Sequence, residues 1–392
     1  MSGSMIKVVI GPQHPALKEP ERFIIEVEGE QVVQVTPRIG YVHRGIEKAM
    51  ENRTYIQNLY LAERICGICS HAHTTCYVQA VEDLLSIEAP PRAKYIRTVI
   101  AELERIHSHL LWLGILAHEV GFDTFFMYVW RDREVIMDLL EEISGNRVNY
   151  AMNTIGGVRR DLDQEKISKI LKGLEVIEEK AKKYIQMIQK EPTILKRTVG
   201  VGYLSSIDAV RYNAVGPLAR ASGVKRDVRK DDPYIAYDDI SFNIVTRDEG
   251  DCFSRMMIRA EEILESINIV REALSKLPVG DISVKTRLVI PPSETVSRVE
   301  APRGELIHYA RSNGTDKPER YKIRAPTLAN LKALCKMLTG IYLADVPVIL
   351  AGIDPCFSCM DRMQIIDCEK KEKQSWTLDD LRRYAREWYQ KH

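Results

Sequence analysis

Two periodicities divide the chain. Near its start, apolar and polar residues alternate over Lys7 to Ile10, Arg22 to Val27 and Gln31 to Val35, the last two runs separated by Glu28-Gly29-Glu30. Alternation with period two predicts strands, and glycine in a three-residue connection predicts a hairpin. Beyond Pro90-Pro91 the spacing changes to three and four: Val99, Leu103, Ile106 and Leu110 share one stripe of a helix predicted from about Ala93 to Val120. Further helices are predicted over Arg131 to Ile143, over the highly charged Asp163 to Lys190, and over Cys252 to Leu277. Short runs broken by Pro, Gly and Asn follow at Val284 to Ile290, Leu306 to Ala310 and Arg320 to Ile323, and read as strands. Helical spacing returns at Thr327 to Leu338, the apolar run Val346 to Ile353 reads as a strand, and Leu378 to Tyr389 is amphipathic. The pattern predicts an α+β fold, predominantly helical, with small N-terminal and C-terminal β-sheets around a central helical bundle.

Composition narrows the class of function. The chain has 392 residues with ordinary globular composition, 45% apolar and 28% charged, which suffices for a substantial core. A formal net charge of +1 supplies no field for nucleic acid, so no nucleic-acid partner is expected. The longest apolar stretches fall short of the roughly 20 residues that span a bilayer. Any membrane attachment is therefore expected to run through partner subunits. Residues Met1 to Lys7 lack the features of a signal peptide, which points to the cytoplasm.

Cysteine carries the candidate chemistry. Of eight cysteines, four fall in two Cys-x-x-Cys pairs, Cys66/Cys69 and Cys356/Cys359, while Cys76, Cys252, Cys335 and Cys368 stand alone. In a reducing compartment, paired thiols point to metal or redox chemistry. The first pair sits in Glu63-Arg64-Ile65-Cys66-Gly67-Ile68-Cys69, followed by Ser70-His71-Ala72-His73, and its glycine permits the tight turn that two thiols on one ion require. The second sits in Asp354-Pro355-Cys356-Phe357-Ser358-Cys359, where Asp354 offers a hydrogen-bonding carboxylate beside the thiolates. Four thiolates suit zinc, an iron-sulfur cluster or another soft-metal centre, and spacing alone does not choose among them.

These motifs resemble those of nickel-iron hydrogenase large subunits, whose Arg-x-Cys-Gly-x-Cys-x-x-x-His matches Arg64 through His73 and whose Asp-Pro-Cys-x-x-Cys matches Asp354 through Cys359. The likeness covers nearly the whole chain and implies that family's fold. It implies a nickel-iron centre, the iron carrying carbon monoxide and cyanide, with Cys69 and Cys359 bridging and Cys66 and Cys356 terminal on nickel. Glu300-Ala301-Pro302-Arg303-Gly304 resembles the segment whose arginine hangs over the centre. Arg303, beside Pro302, would then donate hydrogen bonds to the diatomic ligands. Arg44-Gly45-Ile46-Glu47 resembles a segment whose glutamate, here Glu47, helps some members bind an additional magnesium or iron ion. The loop Gly11-Pro12-Gln13-His14-Pro15 with Glu19 resembles that of membrane-bound hydrogenases and of the matching quinone-reductase subunit of respiratory complex I. It makes Glu19 a candidate proton relay near Cys356, with His14 close by. His107 and His109 belong to a segment shared by both families, and on a half-buried helix they read as structural histidines.

The brevity of the chain and Gly40-Tyr41-Val42-His43-Arg44-Gly45 resemble the membrane-bound, energy-converting branch. Its complex I relatives lack the four metal-binding cysteines. By this resemblance residues 1–362 form the hydrogenase large-subunit domain, and residues 363–392 are an extension removed after Arg362 once metal is inserted. The expected reaction is reversible proton reduction to hydrogen. The expected partners are an iron-sulfur small subunit with a proximal 4Fe-4S cluster, further iron-sulfur and antiporter-like membrane subunits, and ferredoxin acting indirectly, all at the inner face of the cell membrane. Two rivals remain: a ferredoxin-dependent sulfur or quinone reductase subunit without a working bimetallic site, and a structural subunit whose thiols hold zinc.

Overall fold

The computed structural model describes residues 5–360, 362 and 378–391. Four long helices, Pro91–Glu119, Asp123–Ser144, Gln164–Lys190 and Cys252–Ser275, pack into a central bundle. The first begins with Pro91 at a position where its missing N–H costs nothing, and its apolar stripe Val99, Leu103, Ile106 and Leu110 is fully buried. Asp163 and Asp251 cap the third and fourth helices, accepting from the backbone N–H of Lys166 at 2.8 Å and of Ser254 at 2.7 Å. Gly173 lets the third helix approach the second closely, since a Cβ there would lie 2.7 Å from Leu139 Cδ1.

The bundle also buries charge. Glu102 accepts from Arg229 at 3.0 Å, from Tyr237 at 2.5 Å and from Ser266 at 2.6 Å, while Arg220 pairs with Glu262 at 2.9 Å and Glu300 at 2.8 Å. Arg105 donates to the Glu300 carbonyl at 2.6 Å and so ties the bundle to the sheet behind it.

Two three-stranded antiparallel sheets flank the bundle. One comprises Met5–Ile10, Arg22–Glu28 and Gln31–Arg38, and the other Ser293–Ala301, Gly304–Ser312 and Pro318–Arg324. In the second sheet Ala301 pairs with Gly304, so Pro302-Arg303 form the two-residue tip of a hairpin. Gly304 has φ of 124°, and its neighbour Gly216 approaches so closely that a Cβ on Gly304 would lie 2.7 Å from the Gly216 nitrogen. No other residue type fits that tip.

Four local expectations need correction. Val346–Gly352 is a helix rather than a strand: the run is buried on nearly all sides, and a short apolar run of this kind has no period to separate the two states. Residues 284–290 form no strand and are held by the Val284 N–H bond to the Gly156 carbonyl at 2.9 Å, whereas the strand Ser293–Ala301 lies just beyond. The helix Asp123–Ser144 begins eight residues before the predicted Arg131. The helix Ser70–Leu85 escaped the reading, because its first turns bury polar residues, His71, His73, Thr74 and Thr75, rather than an apolar stripe. Most of the extension 363–392 lies outside the described residues.

Candidate metal centre

The two cysteine motifs meet between the bundle and the sheets. Cys66 and Cys69 lie in the turn leading into the helix Ser70–Leu85, with Cys69 at its N-cap, and Cys356 and Cys359 flank the short helix Phe357–Met360. Although 290 residues separate the pairs, the Cys66 and Cys356 sulfurs are 3.4 Å apart. The Cys69 and Cys359 sulfurs are 3.6 Å apart, and those of Cys356 and Cys359 2.9 Å. All four lie within 4.8 Å of one another and are buried, the only such ligand cluster among the described residues.

Arg44 joins the two motifs, and Thr327 and Phe23 fix the second in place. Arg44 donates to the carbonyl oxygens of Arg64 at 3.1 Å and Ile65 at 2.6 Å on one motif, and of Ser358 at 3.1 Å on the other. Thr327 Oγ1 accepts from the Cys356 N–H at 3.0 Å. Phe23 of the first sheet packs on Phe357 with ring centroids 6.1 Å apart.

Arg303 reaches in from its hairpin tip. Its Nε donates to the Asp354 carbonyl at 2.8 Å and its Nη2 to the Asp354 carboxylate at 2.6 Å. Asp354 itself has a φ of 57°, a strained value for a residue with a Cβ, and one of its carboxylate oxygens finds no hydrogen-bond partner among the described residues. Glu19 accepts from the Ser358 N–H at 2.9 Å and from the Ser358 hydroxyl, within the Cys-x-x-Cys loop itself. A cavity of about 190 Å³ is lined by Glu19, Arg303, Asp354, Cys356 and the apolar Ile68 and Trp112.

The other candidates differ in how near they come to the thiols. His14 accepts from the Ala16 N–H at 3.2 Å and serves its own loop, away from the cavity. Glu47 is surrounded by donors rather than further ligands: Lys322 at 2.7 Å, Arg362 at 2.9 Å and the Ile323 N–H at 2.9 Å. These two cations and the N–H are the groups that an additional ion at Glu47 would have to displace. His107 bonds Tyr150 at 3.0 Å and His109 bonds Glu262 at 2.8 Å, both inside the bundle. His73 points its Nε2 at the Cys359 sulfur, 3.4 Å away.

Sequence reasoning missed Arg44 as the strap between motifs, singling out only Glu47 from its segment. It also missed Glu104, which accepts from the backbone N–H groups of His71 at 2.6 Å and Ala72 at 2.9 Å at the start of the helix Ser70–Leu85. Glu104 occupies the expected helix, and its burial was the only available signal.

The electrostatics follow from crowding four thiols out of water. Hydrogen bonds from Cys356, Cys359 and Cys69, with Arg303 nearby, hold the Cys66 thiol well below its usual range. Burial, then donation to its neighbours, pushes Cys359 well up. Without a cation the cluster therefore favours one thiolate ringed by thiols. A cation at its centre would stabilise all four as thiolates. A tetrahedral ion about 2.3 Å from each sulfur keeps sulfurs roughly 3.8 Å apart, and the separations of 2.9 to 3.6 Å need only a slight opening to accept one. The donor set fits a soft metal.

The chain is similar to known proteins over most of its length. Residues 119–294 and 282–362 match the family described as the respiratory-chain NADH dehydrogenase 49 Kd subunit, and residues 44–122 match nickel-dependent hydrogenase. The chain is 43% identical over 360 residues to the carbon monoxide-induced hydrogenase of Rhodospirillum rubrum, covering 92% of this chain and 100% of that one. It is 43% identical over 382 residues to the membrane-bound hydrogenase subunit alpha of Pyrococcus furiosus, covering 93% and 90%. Among solved structures, the archaeal membrane-bound sulfane sulfur reductase superposes with a TM-score of 0.87 at 32% identity, covering 91% of this chain and 98% of that one.

Proposed function

The chain belongs to the family that joins the large subunits of membrane-bound, energy-converting nickel-iron hydrogenases to the 49 Kd subunit of respiratory NADH dehydrogenase, and from that premise we propose that it is the catalytic subunit of a ferredoxin-linked hydrogenase reducing protons to hydrogen. Membership makes it an oxidoreductase subunit whose relatives work in multi-subunit membrane complexes. No helix among the described residues is long and apolar enough to cross a membrane, which accords with attachment through partners. The observation carrying the proposal is the convergence of four sulfurs within 4.8 Å of one another.

In this reading Cys66, Cys69, Cys356 and Cys359 would hold a nickel-iron centre through their four thiolates. The centre supplies a site where hydrogen is split or formed with two electrons. The protein does the rest. The Cys356 sulfur, facing the cavity, accepts the proton, and Glu19, which lines the same cavity, carries it outward. Arg303, fixed by Asp354, offers positive charge and donors over the site, and Trp112, Leu111 and Ile115 keep bulk water from it. Eight cysteines leave too few for a cluster chain, so electrons arrive through an iron-sulfur small subunit with a proximal 4Fe-4S cluster, and antiporter-like membrane subunits convert the redox energy. Arg362, paired with Glu47, marks the end of the mature chain.

The sulfane sulfur reductase likeness favours a second reading, a sulfur or quinone reductase subunit without a working bimetallic site. Elemental analysis of the purified complex separates the two. One nickel and one iron at this site per chain, with hydrogen evolution from reduced ferredoxin, supports the hydrogenase; sulfur or quinone reduction without nickel supports the rival; zinc alone supports a structural role. Intact mass ending at Arg362 would complete the case for a processed, metallated chain.

A further inference from the structure

Behind the thiols runs a buried chain of hydrogen bonds that the mechanism above does not use. His73 Nε2 lies 3.4 Å from the Cys359 sulfur, His73 Nδ1 lies 3.2 Å from His308 Nε2, and His308 Nδ1 lies 2.8 Å from the Tyr321 hydroxyl. His73 is 1% exposed, and His308 and Tyr321 not at all. The three groups come from different elements: the helix Ser70–Leu85 and the strands Gly304–Ser312 and Pro318–Arg324. The rings pack as well, with centroids 5.4 Å apart for His73 and His308 and 5.6 Å for His308 and Tyr321.

We propose that Tyr321 and His308 are positioning residues that fix the tautomer of His73, so that its Nε2–H donates to the Cys359 sulfur and withdraws electron density from the metal centre. The inference rests on the metal-centre reading above. Its logic is a count of protons. A neutral imidazole has one N–H, so three bonds among a phenol and two imidazoles hold one proton each, and only two arrangements satisfy all three. In one, every donor points toward Cys359; in the other, every donor points away from it. A thiolate bound to metal has no proton and can only accept. The chain is therefore locked: Tyr321 O–H donates to His308 Nδ1, His308 Nε2–H to His73 Nδ1, and His73 Nε2–H to sulfur. Burial supports this, since a charge on either imidazole would be cut off from water, and it holds His308 well below its usual value. It likewise raises the phenol of Tyr321 well above its range, which keeps the hydroxyl proton in place.

A hydrogen bond to a metal-bound sulfur reduces the charge it gives the metal, and polarisation along a donor chain strengthens the last bond. Tyr321→Phe deletes one oxygen and leaves the packing, while His308→Phe removes the donor to His73. In the purified complex, the infrared bands of the carbon monoxide and cyanide ligands should move to lower wavenumber and the nickel midpoint potential should become more negative. The order expected is His73→Phe, then His308→Phe, then Tyr321→Phe, with nickel and iron content held at the wild-type level. A shift in the His73 variant alone, with unmoved bands and potential in the other two, would overturn the inference while leaving the hydrogenase reading intact. A wild-type complex without such bands would overturn both.

Discussion

The thiol site and the bundle core both bury ionisable groups, and they solve the problem in opposite ways. In the bundle, Glu102, Asp227, Glu262 and Glu300 are matched by Arg105, Arg220 and Arg229. The residual mismatch appears as Glu300, whose carboxyl is pushed up to about 7, by burial first and by Asp227 next. At the thiol site four sulfurs face one another, and the nearby guanidinium groups are already committed, Arg303 to Asp354 and Arg44 to backbone carbonyls of both motifs. The bundle carries its own counter-charge, whereas the thiol site would need one from outside to hold more than one thiolate. A region that folds without its own compensation is a region built for a ligand.

Removing the external cation from that contrast gives the largest expected effect. Cys356→Ser should abolish hydrogen evolution and drop nickel well below one per chain, while the melting behaviour of the bundle stays close to wild type; retained nickel and turnover would break the comparison. Removing an internal cation should do the reverse. Arg229→Met leaves Glu102 and Asp227 short of a partner and should cost about 3–5 kcal/mol of stability in denaturant unfolding, with no change in the sulfur ligands themselves. Stability unchanged in that variant would mean that the network is not the bundle's counter-charge.

Between the two regions stands Arg303. Arg303→Lys keeps the charge but loses the fork that spans the Asp354 carbonyl and carboxylate, and turnover should fall by about 10- to 100-fold with nickel retained. Loss of nickel instead would make Arg303 part of the binding site rather than of the chemistry. The smallest effect is a slope. Glu300 has its folded value raised from 4.5 to about 7, so its contribution to stability is fully present below about 4.5 and is lost as pH rises through 7. Glu300→Gln should flatten that part of the stability curve, measured as melting temperature from pH 4.5 to 7.5; an unchanged slope would assign it to another group.

The helices were legible because burial on one stripe repeats every three or four residues, as in Val99, Leu103, Ile106 and Leu110. The helix Ser70–Leu85 was not, because its first turns bury polar residues, among them His73 beside Cys359, and mainly its second half buries apolar ones. The cysteine motifs were legible as ligand pairs, since two thiols three positions apart can reach one ion. Arg44 was not, because its partners are backbone carbonyls on two loops, which leave no mark on residue type.

The sequence by itself therefore determined the long helices of the bundle, the first sheet, two strands of the second and the presence of two thiol pairs, since each is written in spacings of a few residues. Only the tertiary structure decided that pairs 290 residues apart converge. It alone decided that Glu19 bonds within the second motif, that cations enclose Glu47, and that His308 and Tyr321 stand behind His73. Local spacing fixes which face of an element a side chain occupies, but which faces meet depends on how the whole core closes, and that is a property of all the packed residues together.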